Sequence, residues 1–175
     1  MGADSRGTKK GTYMNAIVVV DQNWGIGQEG NLLFDLPTDL KHFRQMTLGS
    51  TVIMGCRTLK SLPNGKPLPK RENVVLTKKD IEVPGATVIH TPEEAMALVG
   101  QRENVFVMGG GSVYAAFLPH CKRAYVTRVE AAASAADTFF PNLDKLPNWT
   151  VEAVSEPVEE NGFVYRFYDY VNRSV

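Results

Sequence analysis

A chain of 175 residues with 43% hydrophobic and 22% charged side chains is sized for one domain that buries roughly two thirds of the surface its unfolded form exposes. Basic and acidic residues balance at 19 each, so no global field favours nucleic acid or an anionic membrane, and anions must be gripped by local sites. No apolar run reaches the length of a membrane span; a small-molecule partner and a cytoplasmic location are expected.

Residues 1–13 carry Arg6, Lys9 and Lys10 with no apolar block behind them, which argues against a secretory signal. They read as a disordered leader or an expression remnant, leaving a single domain over residues 14–175. Short β-branched runs at 16–20, 51–54, 73–77, 86–89, 104–108 and 123–129 predict strands. Helices are expected at 38–46, 92–99 and 112–118. This α/β alternation, with runs apolar on consecutive positions, suits a mainly parallel sheet covered by helices. The helix at 92 is the best signalled, with Pro92 after Thr91 and then Glu93 and Glu94 in its first turn. Residues 22–34, punctuated by Gly25, Gly27 and Gly30, read as a lid, because Trp24, Ile26, Leu32, Leu33 and Phe34 are costly to leave in water. Residues 62–70, with three prolines and a glycine, read as a rigid loop. Runs at 149–154 and 163–171, separated by an acidic turn, predict a C-terminal hairpin.

Asp39 is the first candidate for chemistry. Helical spacing puts it on the side of Leu36, Leu40 and Phe43, where a core-facing stripe should be apolar. One reading makes Thr38 the helix N-cap and Asp39 a first-turn acid favoured by the dipole. The other places the carboxylate in a cleft, where it pairs with the N–H donors of a heterocycle. Gly109-Gly110-Gly111 lies between a strand and a helix, where backbone amides converge on phosphate. The GxGxxG spacing of a standard dinucleotide fingerprint is absent. Gly55-Cys56-Arg57-Thr58 offers a second such junction, and Thr77-Lys78-Lys79 adds cations for an extra phosphate. Cys56 and Cys121 read as reduced thiols. His42, His90 and His120 are scattered and read as surface or packing residues; no metal site is expected.

The ordered blocks are Ala16-Ile17-Val18-Val19 leading to Gly25-Ile26-Gly27, then Leu36-Pro37-Thr38-Asp39-Leu40 with Phe43, and Val52-Ile53-Met54-Gly55 with Thr58. Pro67-Leu68-Pro69 with Arg71 follows, then the glycine triplet with Val113-Tyr114, Tyr125-Val126-Thr127, and Asp137-Thr138 before Phe140-Pro141. Together they resemble the dihydrofolate reductase family, from about Asn15 to the C-terminal hairpin.

The resemblance implies an α/β fold: a mostly parallel eight-stranded sheet flanked by four helices, with a C-terminal antiparallel hairpin. It implies reduction of 7,8-dihydrofolate to tetrahydrofolate by NADPH in one-carbon metabolism, inhibition by antifolates, and a monomer. By the same likeness Asp39 binds the pterin 2-amino group and ring N3 and assists protonation at N5, while hydride reaches C6; Thr127 supports Asp39. Ile17, Val18, Val19, Leu40 and Phe43 would line the substrate pocket together with Leu62, Leu68, Met108 and Tyr114. Arg71 would meet the α-carboxylate of the glutamate tail, a task suited to its planar fork. Arg57, Thr58, Thr77 and Lys78 would contact the cofactor's phosphate and adenosine. Gly109, Gly110, Gly111, Ser112 and Val113 would surround the pyrophosphate. Val19, Ile26, Gly27, Gly55, Leu76, Met108 and Tyr114 complete the implied cofactor site, and a cis peptide joins Gly109 to Gly110 in family members.

Two departures stand out. Leu33-Phe34 replaces the usual Pro-Trp, removing an indole N–H that helps to hold an ordered water. Cys56 stands where a basic residue is common, leaving more of the phosphate recognition to Arg57. A pyrimidine reductase of riboflavin biosynthesis shares fold and cofactor, but Asp39, Phe43 and Arg71 together argue against it. A nucleotide-binding or regulatory module that has lost turnover is the alternative from another class.

Overall fold

The structure, a computed structural model, describes residues 14–27, 33–100, 102–133 and 136–175. The leader expected over 1–13 and part of the expected lid, residues 28–32, lie outside them.

Strand β1 (Met14–Val20) runs through the middle of the sheet and pairs in parallel on both sides, with β6 (Val105–Val107) and with β7 (Cys121–Val129). Beyond β6 lie β3 (Thr51–Gly55), β4 (Glu72–Leu76) and β5 (Ala86–Ile89), all parallel. The continuous apolar runs have the expected cause: β3 and β6 are buried at every position, covered on both faces. Past β7 the sheet turns antiparallel with β11 (Phe163–Asn172), which pairs with β9 (Trp149–Val154) and with β10 (Val158–Glu160). Among the described residues the main sheet therefore has nine strands rather than eight. The additional one is β10, inside what reads from sequence as a turn. Pro157 has no N–H for the ladder, so the strand breaks there, and the long β11 takes up a second short partner. A separate two-stranded ribbon joins β2 (Gly25–Gly27) to β8 (Thr138–Phe139).

Four helices occur among the described residues: α1 (Pro37–Thr47), α2 (Cys56–Ser61), α3 (Pro92–Val99) and α4 (Gly111–Phe117). In α3, Thr91 Oγ1 accepts the Glu94 amide at 3.1 Å, as its sequence predicts. The start of α1 differs from expectation. Its N-cap is Leu36, with Pro37 at the first helical position, so Thr38 lies inside the helix.

Alternation along β1 sorts the core. Ala16, Val18 and Val20 join Ala95 of α3 and Phe117 of α4 in one cluster. Ile17 points to the opposite face with Val52, Met54 and Phe106, against which Phe43 of α1 packs. Because β1 and β3 to β6 are parallel, their carboxyl ends share one edge. There the chain leaves β6 through α4 and crosses to β7 on the far side of β1. Such a switch point leaves a crevice at the strand ends, where ligands bind in open α/β sheets.

Candidate active site

A cavity of about 680 Å³ occupies that crevice. Its walls come from the ends of five parallel strands and the starts of the helices behind them. Val18 and Val19 of β1 line it, with Gly55, Arg57 and Thr58 at the β3–α2 junction. Leu76, Thr77 and Lys78 follow β4, and the segment from Met108 to Tyr114 bridges β6 and α4. Ile26 and Gly27 close it from the small ribbon. Every residue that the resemblance assigns to the cofactor thus faces one space.

The approach is kept open by glycine. Gly109 has φ +122, and the Gly109–Gly110 peptide is cis, the geometry that the resemblance implies. A β-carbon on Gly111 would lie 2.6 Å from Thr138 Cγ2, so any side chain there would have to push Thr138 aside. The Tyr114 hydroxyl is buried and donates to the Ile17 carbonyl at 2.6 Å, tying α4 to the central strand. Burial, with Cys121 and Asp39 nearby, holds that phenol well above its ordinary titration range.

Asp39 stands at the third position of α1, where its carboxylate meets β7: Thr127 Oγ1 donates to Asp39 Oδ1 at 2.6 Å. Burial pushes the carboxyl's pKa upward, against the lowering influence of the Thr127 hydrogen bond and of His42; the Glu160 charge adds to the rise. Desolvation wins, the mark of a carboxylate facing apolar surroundings rather than open water.

On the same side, Ile17, Phe43, Leu62, Leu68 and Met108 come together in one apolar cluster with Met54 and Leu59. Leu40 behaves differently: it is 47% exposed. Arg71 is fixed at the far end of α1. Its Nε donates to Thr47 Oγ1 at 2.9 Å, and its terminal nitrogens donate to the carbonyls of Pro69 at 2.6 Å and Arg44 at 3.0 Å. Burial and the neighbouring Arg44 lower its pKa.

Some site residues escape the sequence reading. Ser61, Pro92, Thr138 and His90 also line the cavity, beside Cys56 of the second glycine junction. His90 Nδ1 is 2.8 Å from the Thr77 carbonyl, and because a carbonyl only accepts, the proton sits on Nδ1. Its position, directly after β5, was the usable signal, since the carboxyl ends of parallel strands carry ligands. Asp21 was missed as well. It is buried and accepts the amides of Asn23 at 2.8 Å, Gly25 at 2.7 Å and Ala133 at 2.9 Å. This fastens the first part of the expected lid: Trp24 is 4% exposed, stacks on Phe140 and lies under Arg128. Trp24 is therefore a core residue, not a residue of a cover. At the other end Phe34 packs edge-on against Phe163 at 5.0 Å. Cys121 is buried, with its thiol pushed up to about 12, and both cysteines are free thiols. No helix among the described residues is long and apolar enough to cross a membrane.

A strand-end cavity with phosphate-type donors, beside a carboxylate raised by burial, defines an α/β nucleotide-binding protein with one candidate acid. Comparison with known proteins narrows the class. The family model for dihydrofolate reductase matches residues 13–172. Dihydrofolate reductase of Mycobacterium tuberculosis is 40% identical over 149 residues, covering 83% of this chain and 89% of its own. That of Bacillus subtilis is 32% identical over 161 residues, covering 90% and 94%. The solved structure of dihydrofolate reductase from Enterococcus faecalis, complexed with NADP(H) and RAB-propyl, superposes with a TM-score of 0.83 at 32% identity, covering 93% of this chain and 97% of that one. The chain belongs to the dihydrofolate reductase family.

Proposed function

We propose that this chain reduces 7,8-dihydrofolate to 5,6,7,8-tetrahydrofolate with NADPH, using Asp39 as the carboxylate that holds the pterin and governs its protonation. The observation that carries the reading is the Asp39 carboxylate, raised by burial, fixed by Thr127 at 2.6 Å and set beside the apolar cluster of Ile17, Phe43 and Met108. An ionised carboxylate accepts about four hydrogen bonds, so Thr127 leaves capacity for the paired N–H donors of a pterin edge. The raised proton affinity keeps Asp39 able to assist protonation at N5 nearer to neutrality than an exposed acid would.

The cavity suits NADPH by its chemistry. Its volume of about 680 Å³ falls within the range of cofactor sites. Arg57 and Lys78 supply cations for an added phosphate, Thr58 and Ser112 supply hydroxyls, and the glycine triplet lets a pyrophosphate approach the backbone. When bound, NADPH supplies the hydride that reduces C6. Val18, Val19 and Met108 give the nicotinamide end an apolar wall that excludes water. Arg71, held in place by its three hydrogen bonds, would meet the substrate's α-carboxylate.

On this reading the protein acts as a cytoplasmic monomer, one domain over residues 14–175, whose partners are dihydrofolate and antifolate inhibitors. The test is direct: purified protein consumes NADPH only when dihydrofolate is present and yields tetrahydrofolate. Consumption independent of dihydrofolate, or none at all, overturns the assignment.

A further inference from the structure

Helix α1 begins without a cap of its own. Its N-cap is Leu36, which has no polar side chain, while the first turn of any helix leaves backbone N–H groups without partners. The missing acceptor arrives from a distant part of the chain. Thr38 N–H donates to Glu160 Oε1 at 3.0 Å, and Thr38 Oγ1 donates to Glu160 Oε2 at 2.6 Å. Tyr165, the third residue of β11, steadies the same carboxylate by donating its hydroxyl to Oε1 at 2.9 Å. The next residue of the tip takes part too: Asn161 Nδ2 donates to the Asp35 carbonyl at 2.9 Å. Glu160, the last residue of β10, and Asn161, the first of the turn that follows, therefore grip the chain on either side of Leu36.

We infer that Glu160 is a positioning residue for Asp39, holding the first turn of α1 so that the carboxylate stands in register with Thr127. The inference rests on the reading of Asp39 given above. Asp39 directly follows Thr38, so whatever fixes the Thr38 backbone fixes the point from which the Asp39 side chain projects. On its other side Asp39 is held by β7 through Thr127, and one turn further along His42 stacks on Phe167 of β11 at 4.2 Å. The acid thus sits between two attachments to the antiparallel half of the sheet, and Glu160 makes the one at the helix start. The charge of Glu160 also acts on the acid, opposing ionisation of Asp39, whereas His42 favours it. Glu160 itself is kept ionised by its bonds to Thr38 and Tyr165. A cap that served stability alone would leave the hydride step and its pH dependence untouched.

The experiment compares Glu160→Ala and Glu160→Gln, each alone and combined with Asp39→Asn. Single-turnover hydride transfer across pH, KM for dihydrofolate and thermal unfolding are the readouts. The alanine variant is expected to slow hydride transfer about 3- to 30-fold, short of the roughly 100-fold that a full ångström of misplacement costs. Glutamine keeps an acceptor for the Thr38 amide, so its rate on the acid side should return to within about threefold of wild type. Because it lacks the charge, its pH profile should move to lower pH, and high salt should move the wild-type profile the same way. In the Asp39→Asn background the alanine change should have no further effect on hydride transfer. A Glu160→Ala protein with wild-type rate and pH profile but lower thermal stability overturns the inference, as does a loss that persists undiminished without the Asp39 charge. If Asp39→Asn alone leaves turnover intact, the assignment of Asp39 fails, and that result is recognisable whatever Glu160 does.

Discussion

Replacing Asp39 with asparagine separates its two roles. The amide keeps the shape and still accepts from Thr127, whose Oγ1 lies 2.6 Å from Oδ1 in the native protein. Stability and activity should move in opposite directions. The native carboxyl is raised above its ordinary 3.8, chiefly by burial. An acid raised on folding binds protons more readily in the folded state, so stability falls as pH climbs from 3.8 toward the raised value, and the full loss is present at neutral pH. Each unit of that rise corresponds to about 1.4 kcal/mol, which the neutral amide escapes. In a protein of this size, each kcal/mol recovered raises Tm by about 2–4 °C. Turnover should behave conversely, falling about 100- to 10,000-fold at neutral pH, with partial relief in acid where solvent protonates the substrate. Calorimetry and single-turnover kinetics on the same preparation check both. A first-turn acid favoured only by the helix dipole would instead lose about 0.3–1 kcal/mol of stability on neutralisation and leave turnover nearly unchanged; that pattern refutes the reasoning.

Thr127→Val removes the hydrogen bond that opposes the rise of the Asp39 carboxyl, so the pH–rate profile should move to higher pH, opposite to Glu160→Gln, with about 1 kcal/mol of stability lost. Kinetics across pH and denaturant titration would measure the two effects. Arg57→Ala with Lys78→Ala should weaken NADPH about tenfold or more per side chain while leaving NADH nearly unaffected, as titration of binding would show. Gly111→Ala puts a β-carbon 2.6 Å from Thr138 Cγ2; a loss of about 1–3 kcal/mol in thermal unfolding is expected, with weaker NADPH binding.

What could be read from the sequence was local. The strands and the start of α3 carry their own signals: β-branched runs for the former, Thr91, Pro92 and paired glutamates for the latter. Helix α2 spans only Cys56–Ser61, too short to display a periodicity, so the residues signalled its start, at the Gly55-Cys56-Arg57-Thr58 junction, but not its extent. The cofactor side was legible because glycines and cations cluster at strand–helix junctions, each within a few residues. The surroundings of Asp39 were not local: Thr127, 88 positions away, was named only through the family likeness, and Glu160, 122 positions from Thr38, was not named at all. Of the two readings of this turn, the one with Thr38 as N-cap misses for the same reason: its hydroxyl is the right chemistry, but its partner is a carboxylate from β10 rather than its own helix. Trp24 was misread because an aromatic in a glycine-rich stretch suggests a cover, whereas the Asp21 side chain folds that stretch back so that the indole enters the core.

The spacing between acid and cavity is set by the sheet. Val19 lines the cavity, and across the parallel ladder it is the register partner of Thr127. Adjacent strands lie about 4.8 Å apart, so Asp39 is reached from the cavity wall by one strand spacing and one 2.6 Å hydrogen bond. Neither step passes through a loop. Thr127 is held on its other side by Phe167 of β11, which also carries the stacked His42. A one-residue slip of β1 would exchange its two faces, taking Ile17 from the apolar cluster and its carbonyl from the Tyr114 hydroxyl. The buried Tyr114 bond therefore fixes the parity of the strand from which both the cavity wall and the position of the acid are measured. A site that must bring a hydride donor and a proton-controlling carboxylate to one ring has reason to rest on paired strands rather than on mobile segments.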